Sequence, residues 1–426
     1  MRVRRTGLWL HRDFLRFWAA QSVSQVGTQV SMLALPLIAA LTLDASPFEV
    51  GVLAAAGQAP MLLVGLFAGA WVDRRHRRPV MMLADLGRAG VLLAIPIAAA
   101  LDLLGMGLLY VVAFVAGTLT VFFDVSYLSY VPTLVGRNGL VEANGKLEAT
   151  ASVAQVTGPG LGGLLVALLT APFAILVDAA SFLVSALFLS RIRTTEPPPA
   201  PAHERPGVLH EIREGLRHVG HEPILRSLVG CSAVTNLFGY AFLAVYVLYM
   251  AQELGLGSAA IGLVFATGGV GAFVGAMLAG PVARRFGTGW TLIGAQFGFG
   301  FTGMFVPLAV LVPRFALPCV VASEFLQWLM FLIYVVNAIS LRQRLTDHRI
   351  QGRVNATFTT VARGMQPLGS LLGGWLGSRI GLPWTLVAGE AGMFVAFAWL
   401  LASPLRRRGE VVSVIEPVEE AVGIAA

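Results

Sequence analysis

Gln155-Val-Thr-Gly158-Pro159-Gly160-Leu-Gly162-Gly163 lies 211 residues before Gln366-Pro-Leu-Gly369-Ser-Leu-Leu-Gly373-Gly374. Each stretch is a glutamine followed three, seven and eight residues later by glycine. Glycines four apart share one face of a helix and let a second backbone approach closely, as small residues do between membrane helices. The same shift pairs Gly51 with Gly262, Gly57 with Gly268, Gly69 with Gly280, Arg74 with Arg285 and Asn144 with Asn355. One register serving such distant regions marks an internal repeat of half the chain.

Outward from these stretches the chain is apolar. Of its 426 residues, 56% are hydrophobic and only 12% charged, a balance that excludes a water-soluble enzyme of this size. At about 20 residues per membrane helix, hydrophobic windows predict twelve spans. They fall near 17–41, 49–71, 80–101, 108–131, 144–168, 171–190, 227–250, 259–282, 290–312, 316–340, 356–378 and 384–403. Six spans per repeat is an even number, so both halves keep one orientation and relate by an axis along the membrane normal. The predicted fold is all-α and integral to the membrane. Residues 1–190 and 227–404 form two six-helix bundles joined by a cytoplasmic linker, 191–226, and followed by a cytoplasmic tail, 405–426.

The linker opens with the stiff Thr195-Glu-Pro-Pro-Pro-Ala-Pro-Ala202 and then turns amphipathic. Val208, Leu209, Ile212, Leu216 and Val219 recur at helical spacing opposite charges, a pattern suited to a helix on the inner membrane face. Of 30 Lys and Arg, all but Arg88, Arg314, Arg363 and Arg379 fall in the N-terminal segment, alternate loops or the tail. The positive-inside rule then places both termini in the cytoplasm and the chain in the inner membrane. Positive charge spread over alternate loops indicates lipid rather than nucleic acid as its partner. No Gly-Lys-Ser/Thr phosphate loop is present, and the seven histidines lack metal spacing. No cofactor or metal is expected, and work must come from a gradient.

After the second span comes Gly69-Ala-Trp-Val-Asp73-Arg74-Arg75-His76-Arg77-Arg78-Pro79. The arginines read equally as a positive-inside anchor, which leaves Asp73 unexplained. The turn resembles the loop motif of the major facilitator superfamily, Gly-x-x-x-Asp-Arg-x-Gly-Arg-Arg. The resemblance implies that the acid caps a facing helix of the other half and latches the outward-open state. Asp73, with Gly69, Arg74, Arg77 and Arg78, would then face the start of the eleventh helix near Asn355, where the helix dipole favours an anion. His76 replaces the family's glycine, and the second copy, Gly280-Pro-Val-Ala-Arg284-Arg285-Phe-Gly287, has no acid. Gly158, Pro159, Gly162 and Gly163 match the motif that marks exporters in this superfamily, there a hinge and outer seal; tight packing alone is the plainer reading. Three runs, beginning at Arg12, Phe123 and Gly352, together with Val177-Asp-Ala-Ala-Ser-Phe182, are similar to the branch of macrolide-efflux-like and enterobactin-exporter-like proteins.

Charges at bilayer depth need partners or a wet cavity, which singles out Asp85, Arg88, Asp124, Glu148, Asp178, Glu324, Arg363 and Glu390. Asp85 and Arg88, one turn apart, read as a local ion pair. Asp124 and Glu324 have aromatic and amide neighbours, Tyr127 for one and Gln327 and Trp328 for the other. A carboxylic acid screened from bulk water can carry a proton or meet a cationic substrate, and it can equally be a structural acid satisfied by a hydroxyl or by Arg363. Glu148 and Asp178 stand next in line for coupling. Gln21, Gln25 and Gln29 on the first span, and Asn236 and Tyr240 on the seventh, form polar stripes that fit a cavity wall better than lipid. The whole predicts a monomeric secondary transporter exporting a small amphipathic or hydrophobic compound by proton antiport, with an importer, a lipid flippase or a non-transporting sensor as alternatives.

Overall fold

Each predicted apolar run is helical, the ninth as a helix that ends at Gly303 and is followed by short turns to Leu311. In the computed structural model the described residues are 7–72, 74–196, 217–346 and 350–406. The first half holds α1 (Arg12–Leu37, continued by a π-type turn, Ile38–Thr42), α2 (Pro47–Val72) and α3 (Arg77–Ala100). It continues with α4 (Met106–Gly136), α5 (Gly139–Leu169) and α6 (Ala171–Ser190). The second holds α7 (Pro223–Gln252), α8 (Ser258–Phe286), α9 (Thr288–Gly303), α10 (Ala316–Leu345), α11 (Gln351–Ile380) and α12 (Leu382–Leu401). Eleven of these helices, some with short flanking turns, are long and apolar enough to cross a membrane, and α11 falls short. Its first half carries Arg353, Asn355, Arg363 and three threonines, so its predicted core of 356–378 sits in a longer, more polar helix. The amphipathic linker stretch lies largely outside the described residues; residues 217–221 are helical and Val219 is buried against the second half.

The repeat is visible in the packing. In the first half α6 packs on α1 and α3; in the second, α12 packs on α7 and α9. The two glycine stretches divide their labour identically. Gly158 and Gly162 face α1, where an added methyl would collide with the Gln29 side chain or come within 3.3 Å of the Val30 Cα. Gly369 and Gly373 face α7, against the carbonyl oxygens of Leu237 and Ala241. The last glycine of each stretch turns to the other half. A methyl on Gly163 would lie 2.7 Å from the Cα of Gly262 in α8, and one on Gly374 would lie 2.9 Å from the Cα of Gly51 in α2. The small residues along the second, fifth, eighth and eleventh spans point to these two crossings, α5 with α8 and α2 with α11.

Both crossings bring backbones together at the end of the bundle away from the basic turns, and α5 stays close to α8 as far as mid-depth, where a methyl on Gly269 would lie 2.5 Å from the Cα of Val156. Gly51 and Gly262 stand in the first turns of α2 and α8, and Gly163 and Gly374 toward the ends of α5 and α11. There the Phe48 N–H donates to the Ser378 hydroxyl at 3.1 Å, and near mid-depth the Ser370 hydroxyl donates to Gln58 Oε1 at 3.2 Å. Toward the basic end the halves part: among the described residues no atom of the other half comes within 4 Å of a methyl on Gly69 or Gly280. Large apolar side chains such as Leu63, Phe67, Leu128 and Leu168 point outward, as lipid permits and water does not.

The repeat also exposes a strained residue. Gly381 opens α12 at φ 84°, ψ 164°, and its equivalent at the start of α6 is Thr170, at φ 69°, ψ 158°. That region suits glycine, and a β-branched residue there carries roughly 1–3 kcal/mol of strain. Thr170→Gly is therefore expected to raise the apparent melting temperature of the detergent-solubilised protein; an unchanged or lower value would show that the threonine side chain offsets the strain.

Candidate central cavity

Between the halves lies a cavity of two lobes. The first, about 450 Å³, is walled mainly by α1, α2, α4 and α7, with α3 and α6 behind, and includes Gln29, Gln58, Arg88, Thr120 and Asp178. The second, about 300 Å³, belongs to the C-terminal half and includes Asn236, Glu324, Gln327, Trp328, Gln366 and Glu390. Tyr240, Leu243 and Phe265 line both, so the lobes adjoin at the interface of the halves.

In the first lobe the charges are matched within the half. Arg88 forms an ion pair with Asp85 one turn away, and the Ser185 hydroxyl donates to the second oxygen of Asp85 at 2.7 Å. The Arg88 guanidinium sits 4.4 Å from the ring centre of Phe123 and 4.1 Å from that of Phe182, so π-faces share the task of holding a desolvated cation. Asp178 is buried and accepts hydrogen bonds from the hydroxyls of Ser31 and Ser181. Gly27 makes this possible, since a methyl there would occupy the space of Ser181 and Asp178.

In the second lobe Glu324 is buried and fixed by two donors. Trp328 Nε1 donates to one oxygen at 2.8 Å and the Tyr246 hydroxyl to the other at 2.9 Å. Asn236 accepts from Gln366 Nε2 at 3.2 Å, and Gln327 donates to the Ser323 hydroxyl at 3.2 Å. Glu390 of α12 joins this lobe with its carboxyl group against Gly303 of α9, and its Oε2 is buried with no hydrogen-bond partner among the described residues. Sequence reasoning marked Glu390 as a membrane charge but did not place it in the site. Its visible signal was an acid inside an apolar run; its proximity to Glu324 depends on how three helices pack.

The other predicted residues spread more widely. Asp124 is exposed on α4 and is not among the residues that line either lobe. Arg363 is exposed, with Nη1 3.6 Å from the Met61 sulfur. Tyr127 stacks on Phe17, 5.5 Å between ring centres, and Glu148 is exposed on α5. Of the α1 glutamines Gln29 lines the first lobe, whereas Gln25 and Gln21 lie half-buried, one and two turns nearer the basic end.

In the basic turn Asp73 lies outside the described residues. Arg74 is exposed. Arg78 donates from Nε to the Leu189 carbonyl at 2.8 Å and from Nη2 to the Ser190 carbonyl, capping the end of α6. The backbone N–H groups of Arg77 and Arg78 donate to Glu196 of the linker at 2.7 and 2.8 Å, so that acid caps the start of α3. His76 has φ −68°, whereas its equivalent Gly287 has φ 77°, so the two copies of the turn are closed by different backbones. At the start of α11, Asn355 Oδ1 is buried without a hydrogen-bond partner among the described residues.

A family model described as transmembrane secretion effector matches residues 9–419. The multidrug efflux pump Tap of Mycolicibacterium fortuitum is 29% identical over 384 residues, covering 85% of this chain and 88% of that protein. The enterobactin exporter EntS of Escherichia coli O1:K1 / APEC is 25% identical over 373 residues, covering 87% and 86%. Among solved structures, a bacterial homologue of the iron transporter ferroportin in its inward-facing state superposes with TM-score 0.75 at 16% identity, over 92% of this chain and 98% of that one. A bacterial homologue of the human lysosomal transporter Spinster, inward-facing and occupied, gives TM-score 0.72 at 15% identity, over 97% and 100%. At such identities these two structures bear on the fold alone.

Removing one member of a buried ion pair costs roughly 3–5 kcal/mol because the other is left uncompensated. Asp85→Asn should therefore lower stability by about that amount, measured by denaturant unfolding in detergent, and a loss well under half of it would show that the rings of Phe123 and Phe182 alone suffice for Arg88.

Proposed function

The chain belongs to the transmembrane secretion effectors of the major facilitator superfamily, a family of transporters rather than enzymes, and on that premise we propose that it exports a small amphipathic or hydrophobic compound in exchange for protons. The observation that carries this reading is the cavity between two repeat-related bundles, closed at one end by Gly163 on Gly262 and Gly51 on Gly374. Such contacts are van der Waals contacts between backbones, with no side chain to withdraw, so they can part and re-form as the bundles rock. The positive-inside rule puts the basic end and both termini in the cytoplasm of the inner membrane, which makes the closed end the outer one. Export rather than import is favoured by the named activities of the relatives, multidrug efflux and enterobactin export.

In this cycle substrate enters the parted, cytoplasmic side. Closure there opens the glycine seal, substrate leaves outward, and a proton taken by a cavity carboxylate from the outer side returns inward. Asp124, exposed on α4, and Glu324, held by Tyr246 and Trp328, are the leading coupling acids, with Asp178 and Glu148 behind them. Asp73, with the neighbouring arginines and Asn355, acts as the latch of the outward-open state. The proton gradient supplies the energy without a cofactor, and one chain in the bilayer suffices.

Proteoliposomes loaded with a pH-sensitive dye, given a proton gradient and a panel of lipophilic antibiotics and dyes, test the antiport directly. Substrate-induced proton movement is the expected result, and its absence alongside measurable binding would reject antiport. At least one of Asp124→Asn and Glu324→Gln should abolish that proton movement at equal protein level; full exchange by both variants would pass the role to Asp178 or Glu148. Asp73→Asn should lower flux roughly tenfold, equivalent to about 1.4 kcal/mol of lost conformational bias, and unchanged flux at equal expression would remove the latch.

A further inference from the structure

Laying one half on the other by the 211-residue shift exposes a chemical difference that packing alone does not require. Glu324 falls on Ala113, Trp328 on Gly117 and Glu390 on Ala179, while Asp85 and Arg88 fall on Gln296 and Phe299. The halves share a scaffold, yet each lobe has its own charges. In the first lobe the Arg88 cation stands with the nearby acids. The second has two carboxyl groups and, among the described residues that line it, no lysine, arginine or histidine.

Room has been made for each acid. A methyl on Gly268 would lie 2.9 Å from Glu324 Oε1 and 2.6 Å from the Trp328 ring, and one on Gly303 would overlap the Glu390 carboxyl group. Glu324 has a donor on each oxygen, whereas the buried Oε2 of Glu390, which lines the same lobe, has none among the described residues. Two carboxyl groups in a desolvated space cannot both be charged unless a cation shares it.

The remaining walls specify what kind of cation. Trp328 stands edge-on to Phe331 and Phe299 tilts against it, each 5.5 Å between ring centres, and Tyr246 stands edge-on to Phe265 at 5.7 Å. Aromatic faces attract a diffuse positive charge and cover an apolar body. No group of three or more His, Cys, Asp or Glu side chains that could hold a metal ion occurs among the described residues. At about 300 Å³ the lobe matches the lower range of small-molecule pockets.

We propose that the second lobe is a binding site for a lipophilic organic cation, its charge between Glu324 and Glu390 and its apolar body against Trp328, Phe331 and Phe299. This names a substrate class for the exporter proposed above and rests on that reading only for the direction of movement, since binding at equilibrium needs no transport.

The test is binding of radiolabelled tetraphenylphosphonium to the purified full chain in detergent, by equilibrium dialysis. Saturable binding is expected, weakened at least about tenfold by Glu324→Gln and by Glu390→Gln as each removes one member of a buried charge contact. Glu324→Asp, which keeps the charge, should retain affinity within about threefold of the native chain, and thermal unfolding of each variant reports its fold. Competition gives a readout that needs no variant: other lipophilic cations should displace the probe and the neutral dye Nile red should not. No saturable binding to the native chain, equal affinity in both glutamine variants, or equal displacement by Nile red overturns the site. Nile red export from proteoliposomes without tetraphenylphosphonium binding overturns the cation site and leaves the exporter reading standing. Charge-dependent binding without outward movement of any probe upholds the site and overturns the exporter reading.

Discussion

Two backbone-on-backbone contacts, Gly163 with Gly262 and Gly51 with Gly374, set the distance between the halves and with it the depth and shape of everything they enclose. In lipid no hydrophobic force drives helices together, so association depends on how closely surfaces fit. A side chain at any of these four positions would hold the helices apart by its own thickness. The repeat uses one solution twice, and the two crossings place the cavity between them.

Within each half the same glycine stretch does a second job. Gly158 and Gly162 bring α5 onto α1, and Gly369 and Gly373 bring α11 onto α7. A single helix thus presents one glycine face to its own bundle and one glycine to the opposite bundle. The contact that must open in a rocking cycle lies next to one that must not, separated by the roughly 100° step between consecutive helical residues.

The scaffold is symmetric and the chemistry it holds is not. Arg88, an adjacent carboxylate and two aromatic faces form a closed electrostatic unit in the first lobe, and breaking it would strand a buried charge. Among the described residues that line it, the second lobe has two acids and no base, one acid with a donor on each oxygen and one whose buried Oε2 has none. At the basic end, Arg78 and Glu196 tie the start of α3 to α6 and to the linker, and Asp13 accepts from the backbone of Arg193 and Thr194 at 3.0 and 2.9 Å. The first arginine-rich turn is therefore built into its own bundle as well as facing the membrane surface.

By itself the amino-acid sequence determined the twelve helices, the repeat and its register, and the crossings of α2 with α11 and α5 with α8. Apolar run length is set by bilayer thickness, and small-residue spacing reports which helix faces come close. It also marked Glu324 and Glu390 as charges in need of an explanation, because an acid in an apolar run stands out locally. Only the tertiary structure decided that these two share a lobe while Asp124 lies outside it, that Arg88 is held between Phe123 and Phe182, and that the halves meet at the end away from the basic turns. Those facts depend on the rotation of each helix about its axis and on the relative tilt of two bundles. Residues far apart in the chain set both through packing, and no local pattern of apolar and polar residues encodes them.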